Sequence, residues 1–409
     1  MGIGDGGRRP VGTRRPVGTR RTTRGALVVA VVTGSALLGA CAPTSPSGPP
    51  ADPAPPTIQS FSLGSQRRAA PVVGSLGWNV SDPNPGTLRC RVDIDGDGTF
   101  DRELEPCTSA DRVLVSFDAP GTRTLTLEVS DSMFEPVVAT TTVTVDPGPA
   151  EGYEIDLRLD PAMRPEFRAA FEDAAARWSE VIVAGVPDQQ LDIPAGFLGW
   201  IPAFSGVVDD VLIDARDIPI DGPRGTLGRA AGLAVRAGAW QPYWGLMEFD
   251  TDDLEMLHDQ GRLGDVILHE MGHVLGLGGN WLLNGLIDNP LLDPRYTGAA
   301  GVAAYRELGG SGPVPLEHEG GLGTMWGHWR ESVFDRELMT GFLDAGTQYL
   351  SRLSVAALAD QGYGVSLEAA DDYELPGPPS AAALRAAPDP EDHLHTESME
   401  PIIVGGSGR

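Results

Sequence analysis

Between residues 58 and 147 the chain alternates apolar and polar positions in short runs, such as Thr124-Leu125-Thr126-Leu127-Glu128-Val129 and Thr140-Thr141-Thr142-Val143-Thr144-Val145, separated by Pro, Gly and Asp. A period of two sends one face of each run to a core and the other to water, which predicts a β-sandwich. Beyond Pro147-Gly148-Pro149 the period changes. Tyr153 to Leu159 still alternates as a strand, but Phe167, Ala170, Phe171, Ala174, Ala175, Trp178 and Val181 recur at three- and four-residue steps, which predicts an amphipathic helix over 165–183. Val207–Ile213 and Gly225–Leu233 read as further strands, and Tyr243–Asp250 as an edge strand. Gly264–Gly276 follows, where Val266, Ile267, Leu268, Val274 and Leu275 enclose His269, Glu270 and His273 in a helix that Gly276 can end or bend. After Pro376 the composition turns to Pro, Ala and acidic residues, which predicts a disordered tail over 376–409.

The N-terminal pattern belongs to export rather than to a fold. Arg8, Arg9, Arg14, Arg15, Arg20, Arg21 and Arg24 precede an uncharged apolar run, Gly25–Ala40, that is short for a transmembrane span. The run closes on Leu38-Gly39-Ala40-Cys41, which resembles the lipobox of bacterial lipoproteins. That resemblance implies a signal peptide over 1–41, a lipid on Cys41, contact with a membrane through that anchor, and an exported protein lipid-anchored at the cell surface or secreted. Residues 42–57, rich in Pro, Ser, Ala and Gly, read as a semi-extended tether.

Composition narrows the function classes. With 57 acidic against 30 basic residues the formal charge is −27, so a phosphate backbone would meet repulsion, and nucleic-acid binding is excluded as a role. The acidity reads instead as a solvated surface. A 409-residue chain that is 41% hydrophobic is long enough to bury more than one core. Cys90 and Cys107 are the only cysteines besides Cys41, and in an exported chain they are expected to pair. Between them Asp93, Asp95, Asp97 and Asp101 occupy the first, third, fifth and ninth places of a calcium-loop pattern, with Gly98 sixth but Leu104 where a twelfth-place acid belongs. The same stretch also reads as a hairpin with Asp-Gly turn chemistry. Trp78 before Asn79-Val80-Ser81-Asp82, and Ala119-Pro120-Gly121 before an alternating run, resemble an immunoglobulin-like domain of the PKD kind over 58–147.

His269 and His273 stand four apart, so on a helix both imidazoles face one ion, and Glu270 beside them is placed to take a proton from water. The flanking apolar residues would bury these three polar groups, which is costly unless something satisfies them. A hydrolytic zinc site needs a third protein ligand. The compact metzincin spacing would put it at Gly279, which has no ligating atom, so His318, His328, Glu317 and Glu319 remain; His393 and His395 fall in the expected tail.

Gly327-His328-Trp329-Arg330-Glu331, followed by Glu337-Leu338-Met339-Thr340-Gly341, resembles the downstream signature of the leishmanolysin family, zinc endopeptidases of metzincin type. Phe171–Trp178, Val208–Ile213, Ser354–Tyr363 and Ala370–Tyr373 extend the resemblance over about residues 151–375. It implies an N-terminal all-β immunoglobulin-like sandwich followed by an α+β metzincin-type domain, with His269, His273 and His328 holding one catalytic Zn2+. Glu270 would then be the general base and Met339 the methionine of a turn under the metal. The Ala/Gly-rich stretch around 298–312 departs from the family pattern. The implied activity is hydrolysis of peptide bonds in extracellular polypeptides. The alternative is a surface adhesin whose zinc is structural, which the presence of Glu270 disfavours, since a structural site has no use for a base.

Overall fold

In the computed structural model residues 53–289, 291–321 and 323–377 are described in full, and 394–398 through their backbone. The expectations for residues 1–41, for lipidation at Cys41, and for most of 42–57 lie outside the described residues.

The alternating region forms β1 (Thr57–Gly64), β2 (Val72–Ser81), β3 (Arg89–Asp93), β4 (Arg102–Leu104), β5 (Arg112–Phe117), β6 (Gly121–Ser130) and β7 (Val137–Val145). They make two antiparallel sheets, β1-β2-β5 and β4-β3-β6-β7. The inward positions of the period-two pattern, Leu76, Trp78, Val92, Val113, Val115, Leu125, Leu127 and Val129, close a common core. Cys90 and Cys107 are joined by a disulfide inside it, with Cα atoms 5.6 Å apart. In the intervening loop, carboxylate oxygens of Asp93, Asp95 and Asp101 lie within 4.8 Å of one another. Backbone amides already occupy much of that cluster: Asp93 accepts from Gly96 at 2.7 Å and Gly98 at 3.0 Å, and Asp101 from Ile94 at 2.9 Å. Asp97 stands outside the cluster and accepts from the Thr99 amide at 2.6 Å, which is the turn chemistry of the hairpin reading.

The remaining chain begins with β8 (Ile155–Leu159), α1 (Pro165–Val181), β9 (Ile182–Ala184), β10 (Gln189–Ile193), β11 (Phe204–Val208), β12 (Val211–Ile218), β13 (Thr226–Val235) and β14 (Pro242–Asp250). After them come α2 (Thr251–Asp259) and α3 (Leu263–Val274). The helix expected over 165–183 is α1, with Pro165 in its first turn and Phe167, Phe171, Ala174, Ala175, Trp178 and Val181 buried. Two strand expectations need correction. Val207–Ile213 is broken in two, because the Asp210 carboxylate turns the chain by accepting the amides of Val186 at 2.6 Å and Glu154 at 2.7 Å. Tyr243–Asp250 is central rather than an edge: β14 pairs with β12 in parallel and β13 in antiparallel, and every residue from Pro242 to Asp250 is buried. A strand covered on both faces needs apolar residues on both, so its near-continuous apolar run was the readable sign. The hairpin β10–β11 covers one face through Leu191, Ile193, Leu233, Trp244 and Leu246. Helices α1 and α3 cover the other, where Phe171 meets Phe249 edge-on at 5.2 Å and Trp178 Nε1 donates to the Leu268 carbonyl at 2.9 Å.

Downstream lie β15 (Ile287–Asp288), β16 (Arg295–Tyr296), α4 (Ala299–Glu307), β17 (Val314–Pro315), α5 (Glu331–Phe334), β18 (Phe342–Leu343), α6 (Arg352–Asp360), β19 (Gly364–Val365), a 3-10 turn at Leu367–Ala369, and β20 (Leu394–Ser398). The Ala/Gly-rich stretch is therefore the helix α4. Asp360 caps its start by accepting from the Ala300 and Gly301 amides at 2.9 Å each, and burial pushes that carboxyl up to about 6. Val73 and Leu114 of the sandwich share a core with α4 and α6, and Arg306 pairs with Asp111 at 2.9 Å. The described residues from 53 onward belong to one compact unit.

Within the disordered tail expected over 376–409, residues 378–393 and 399–409 lie outside the described residues, and the backbone of Leu394–Ser398 forms β20, which completes the sheet β18-β20-β13-β14-β12-β8. Tail composition speaks only for a chain that must build its own core. Here a sheet edge supplies the backbone partners that a polar segment lacks by itself.

Candidate metal centre

Helix α3 carries Asp265 in its first turn, where a carboxylate meets the positive end of the helix dipole. It ends just before Gly276, whose φ of +105° favours glycine. Within it His269 and His273 fall one turn apart on one face. The third imidazole arrives from far along the chain. His328 is held by its neighbour Trp329, which is fully buried, stacks within 4.5 Å of Trp281, donates through Nε1 to Ser354 Oγ at 2.8 Å, and pairs its backbone amide with the Met339 carbonyl at 3.0 Å.

The three Nε2 atoms converge: His269 to His273 2.9 Å, His273 to His328 3.0 Å, and His269 to His328 3.2 Å. Each opposite ring nitrogen faces a backbone carbonyl, His269 Nδ1 that of Leu338 at 2.6 Å, His273 Nδ1 that of Leu277 at 2.9 Å, and His328 Nδ1 that of Thr324 at 2.8 Å. A carbonyl only accepts, so each Nδ1 carries the proton and each Nε2 presents a lone pair to the other two. Three facing lone pairs repel unless a cation lies among them. Zinc bound tetrahedrally at about 2.1 Å from each nitrogen spaces its ligands about 3.4 Å apart, within a few tenths of an ångström of the separations here. The chain therefore fits zinc. All three rings are buried, and that burial, reinforced by the neighbouring imidazoles, brings His273 and His328 down to about 3 and holds His269 well below its ordinary value. They are neutral ligands at physiological pH without needing the metal to displace a proton.

The other candidates for the third position stand elsewhere. His318 is 45% exposed in its side chain and lies beside Glu317. Glu317 is buried but spent on backbone amides, accepting from His318, Glu319 and Glu331 at 2.8–3.1 Å. Glu319 is 79% exposed. Met339 lies fully buried under α3, and the close approach depends on Gly272: a Cβ there would meet Met339 Sδ at 2.9 Å and Trp178 at 3.0 Å. Glu270 is buried on the side of α3 that faces β13, where a Cβ on Gly228 would come within 3.1 Å of its Cγ.

Sequence reasoning did not find the carbonyls of Leu277, Thr324 and Leu338, because backbone atoms leave no residue signal. It also passed over what Glu337 does. This fully buried carboxyl accepts from the Met339 amide at 2.6 Å, from Ser351 Oγ at 2.7 Å and from Ser354 Oγ at 2.6 Å. It thereby fixes the turn that aims the Leu338 carbonyl at His269. Asp335 and Arg336 beside it are charged as well, so nothing in the local sequence marks Glu337 for burial. Burial raises Glu337 from 4.5 to about 7 against the pull of those donors, so the folded state holds this proton where the unfolded chain has released it. Stability contributed by that proton is full below pH 4.5 and is lost as pH rises through 7. Thermal unfolding of zinc-free protein from pH 4.5 to 8 is expected to show this decline, and Glu337→Gln to flatten it relative to the unchanged chain. Identical slopes for the two proteins would contradict the assignment.

Residues 235–371 match the leishmanolysin peptidase family, Peptidase_M8. A leishmanolysin homolog from Crithidia fasciculata is 33% identical over 134 residues, which is 30% of this chain and 20% of that protein, so the chain spans about a fifth of that relative's length. Among solved structures, the PKD1 domain of Vibrio anguillarum Epp aligns at 22% identity over 24% of this chain and 99% of its own, with a TM-score of 0.18. The PKD domain of an M14-like peptidase from a Thermoplasmatales archaeon aligns at 20% identity over 23% and 98%, with a TM-score of 0.19. At such scores these two likenesses carry no weight for fold or function. The similarity to leishmanolysin thus falls on residues 235–371, the stretch that contains the three converging histidines, Glu270 and Met339.

Proposed function

We propose that the protein is a zinc-dependent endopeptidase that cleaves extracellular polypeptides, built as a metzincin-type α+β domain behind an immunoglobulin-like sandwich. The observation that carries this reading is the convergence of three Nε2 lone pairs within 2.9–3.2 Å, on rings whose other nitrogens are tied to carbonyls. His269, His273 and His328 would hold the ion. Zinc, when bound there, supplies Lewis-acid polarisation of a water and of the scissile carbonyl. Glu270 receives the proton of the attacking water and returns it to the departing amine, so one carboxyl serves as base and then acid without a covalent intermediate. Met339 and Trp178 pack beneath the α3 backbone at Gly272 and keep the two helical imidazoles in register.

Export, with a lipid on Cys41, belongs to the same proposal, and the Cys90–Cys107 disulfide suits an oxidising compartment. Calcium at Asp93, Asp95 and Asp101 is not required by it. The test is hydrolysis of fluorescent casein by zinc-loaded protein. Chelator is expected to abolish cleavage and zinc to restore it in a one-to-one titration; cleavage that persists in metal-stripped protein sinks the reading.

A further inference from the structure

Beside the metal centre, β13 has β14 on one side and β20 on the other, so that without β20 it would be the edge of the main sheet. The backbone of β20 pairs with it in parallel, Thr226 with His395, Gly228 with Thr396, Arg229 with Glu397 and Ala230 with Ser398, with a register shift after Thr226. The opposite side of β20 pairs with β18, Phe342 with His395 and Leu343 with Leu394. These two neighbours define the place. Gly228 is the residue whose Cβ would touch Glu270, and β18 begins directly after the Met339-Thr340-Gly341 turn. A backbone strand held between β13 and β18 therefore crosses between the base and the turn that aims His269, and β20 also contacts α3.

We propose that Leu394–Ser398 is an internal competitor for the peptide-binding groove: it fills the β13 edge as a strand, and a substrate enters as an extended polypeptide only by displacing it. This rests on the peptidase reading above and adds to it the surface that takes the substrate and the segment that guards it. Strand addition uses main-chain hydrogen bonds, which any extended peptide offers, so tail and substrate compete through the same groups with little dependence on sequence. The pairing is short and interrupted by a register shift, so it is weak enough to yield. Sixteen residues, 378–393, link the described part of the domain to β20. A tether of that kind sets an effective concentration on the order of 1 mM, so a segment with a Kd of about 0.1 mM would keep the groove filled about ten to one.

The test compares the zinc-loaded full chain with the double variants Thr396→Pro/Glu397→Pro and Glu397→Pro/Ser398→Pro, each of which spans both amide directions of the strand and so removes one amide that faces β13, and with Ala383→Pro as a tail control. The expected result is kcat/KM on fluorescent casein about tenfold higher in the first two variants and unchanged in the control. Backbone amide exchange over Thr226–Ala230 should accelerate in the same two variants, a readout that needs no catalysis. Rates within twofold of the unchanged chain, or unaltered exchange on β13, overturn the proposal. Failure of every protein to cleave casein removes the peptidase reading itself, and the competition with it, whereas cleavage at equal rates removes only the role of the tail.

Discussion

Glu270→Gln is expected to leave zinc binding near one equivalent while kcat falls by about 10²–10⁴-fold, the range that a positioned acid–base group supplies. The substitution keeps shape and hydrogen-bonding capacity, and Glu270 is not among the three groups that converge on the ion site. What it removes is a carboxylate able to take a proton at neutral pH and give it back. Because the side chain is buried against Gly228, bulk water is poorly placed to take over the transfer. KM should change little, since the ligand set and the β13 edge stay as they are. Metal analysis by mass spectrometry, alongside steady-state cleavage of casein, checks both halves. A variant that keeps more than about a tenth of the activity would show that the proton goes elsewhere.

His328→Ala should act at the earlier step and lose metal and activity together. Removing a hydrogen-bonded partner of a metal ligand typically costs 10–100-fold in affinity, so removing a ligand should weaken zinc by at least about a hundredfold. Among the described side chains, the two other downstream candidates are already committed elsewhere. Glu317 is occupied by backbone amides and His318 is turned to solvent, so His318→Ala serves as the silent control. The fold should survive, because Trp329, rather than the imidazole, anchors this segment in the aromatic cluster with Trp281 and Tyr296. Competition of the variant against a zinc-sensitive dye reads the affinity directly. Full metal occupancy in His328→Ala would break the proposed ligand set.

The two variants separate roles that the sequence presents unequally. His269, Glu270 and His273 sit within one helical turn, and their spacing alone places them on one face. His328 lies 55 residues beyond His273, and spacing says nothing about such a pair. Its candidacy came from resemblance to a family motif, and what brings its Nε2 to 3.0 Å is the packing of Trp329 together with the Glu337 turn. The sandwich was similarly legible, since its core lies on the inward positions of a period-two pattern. The centrality of β14 was legible as well, in the near-continuous apolar run Tyr243–Met247, which the expectation of an edge strand passed over.

By itself, then, the sequence determined the local elements whose periodicity is intrinsic: the alternating strands, the amphipathic α1 and the apolar helix that bears a histidine pair and a carboxylate. The tertiary structure decided everything that depends on partners distant along the chain. It chose His328 over His318, enlisted three backbone carbonyls to hold the imidazole tautomers, raised Glu337 by burial, and gave a tail segment its place on β13. The physical reason is that periodicity is written in consecutive residues. Burial, convergence of lone pairs and completion of a sheet edge are properties of groups that meet only after the chain has folded.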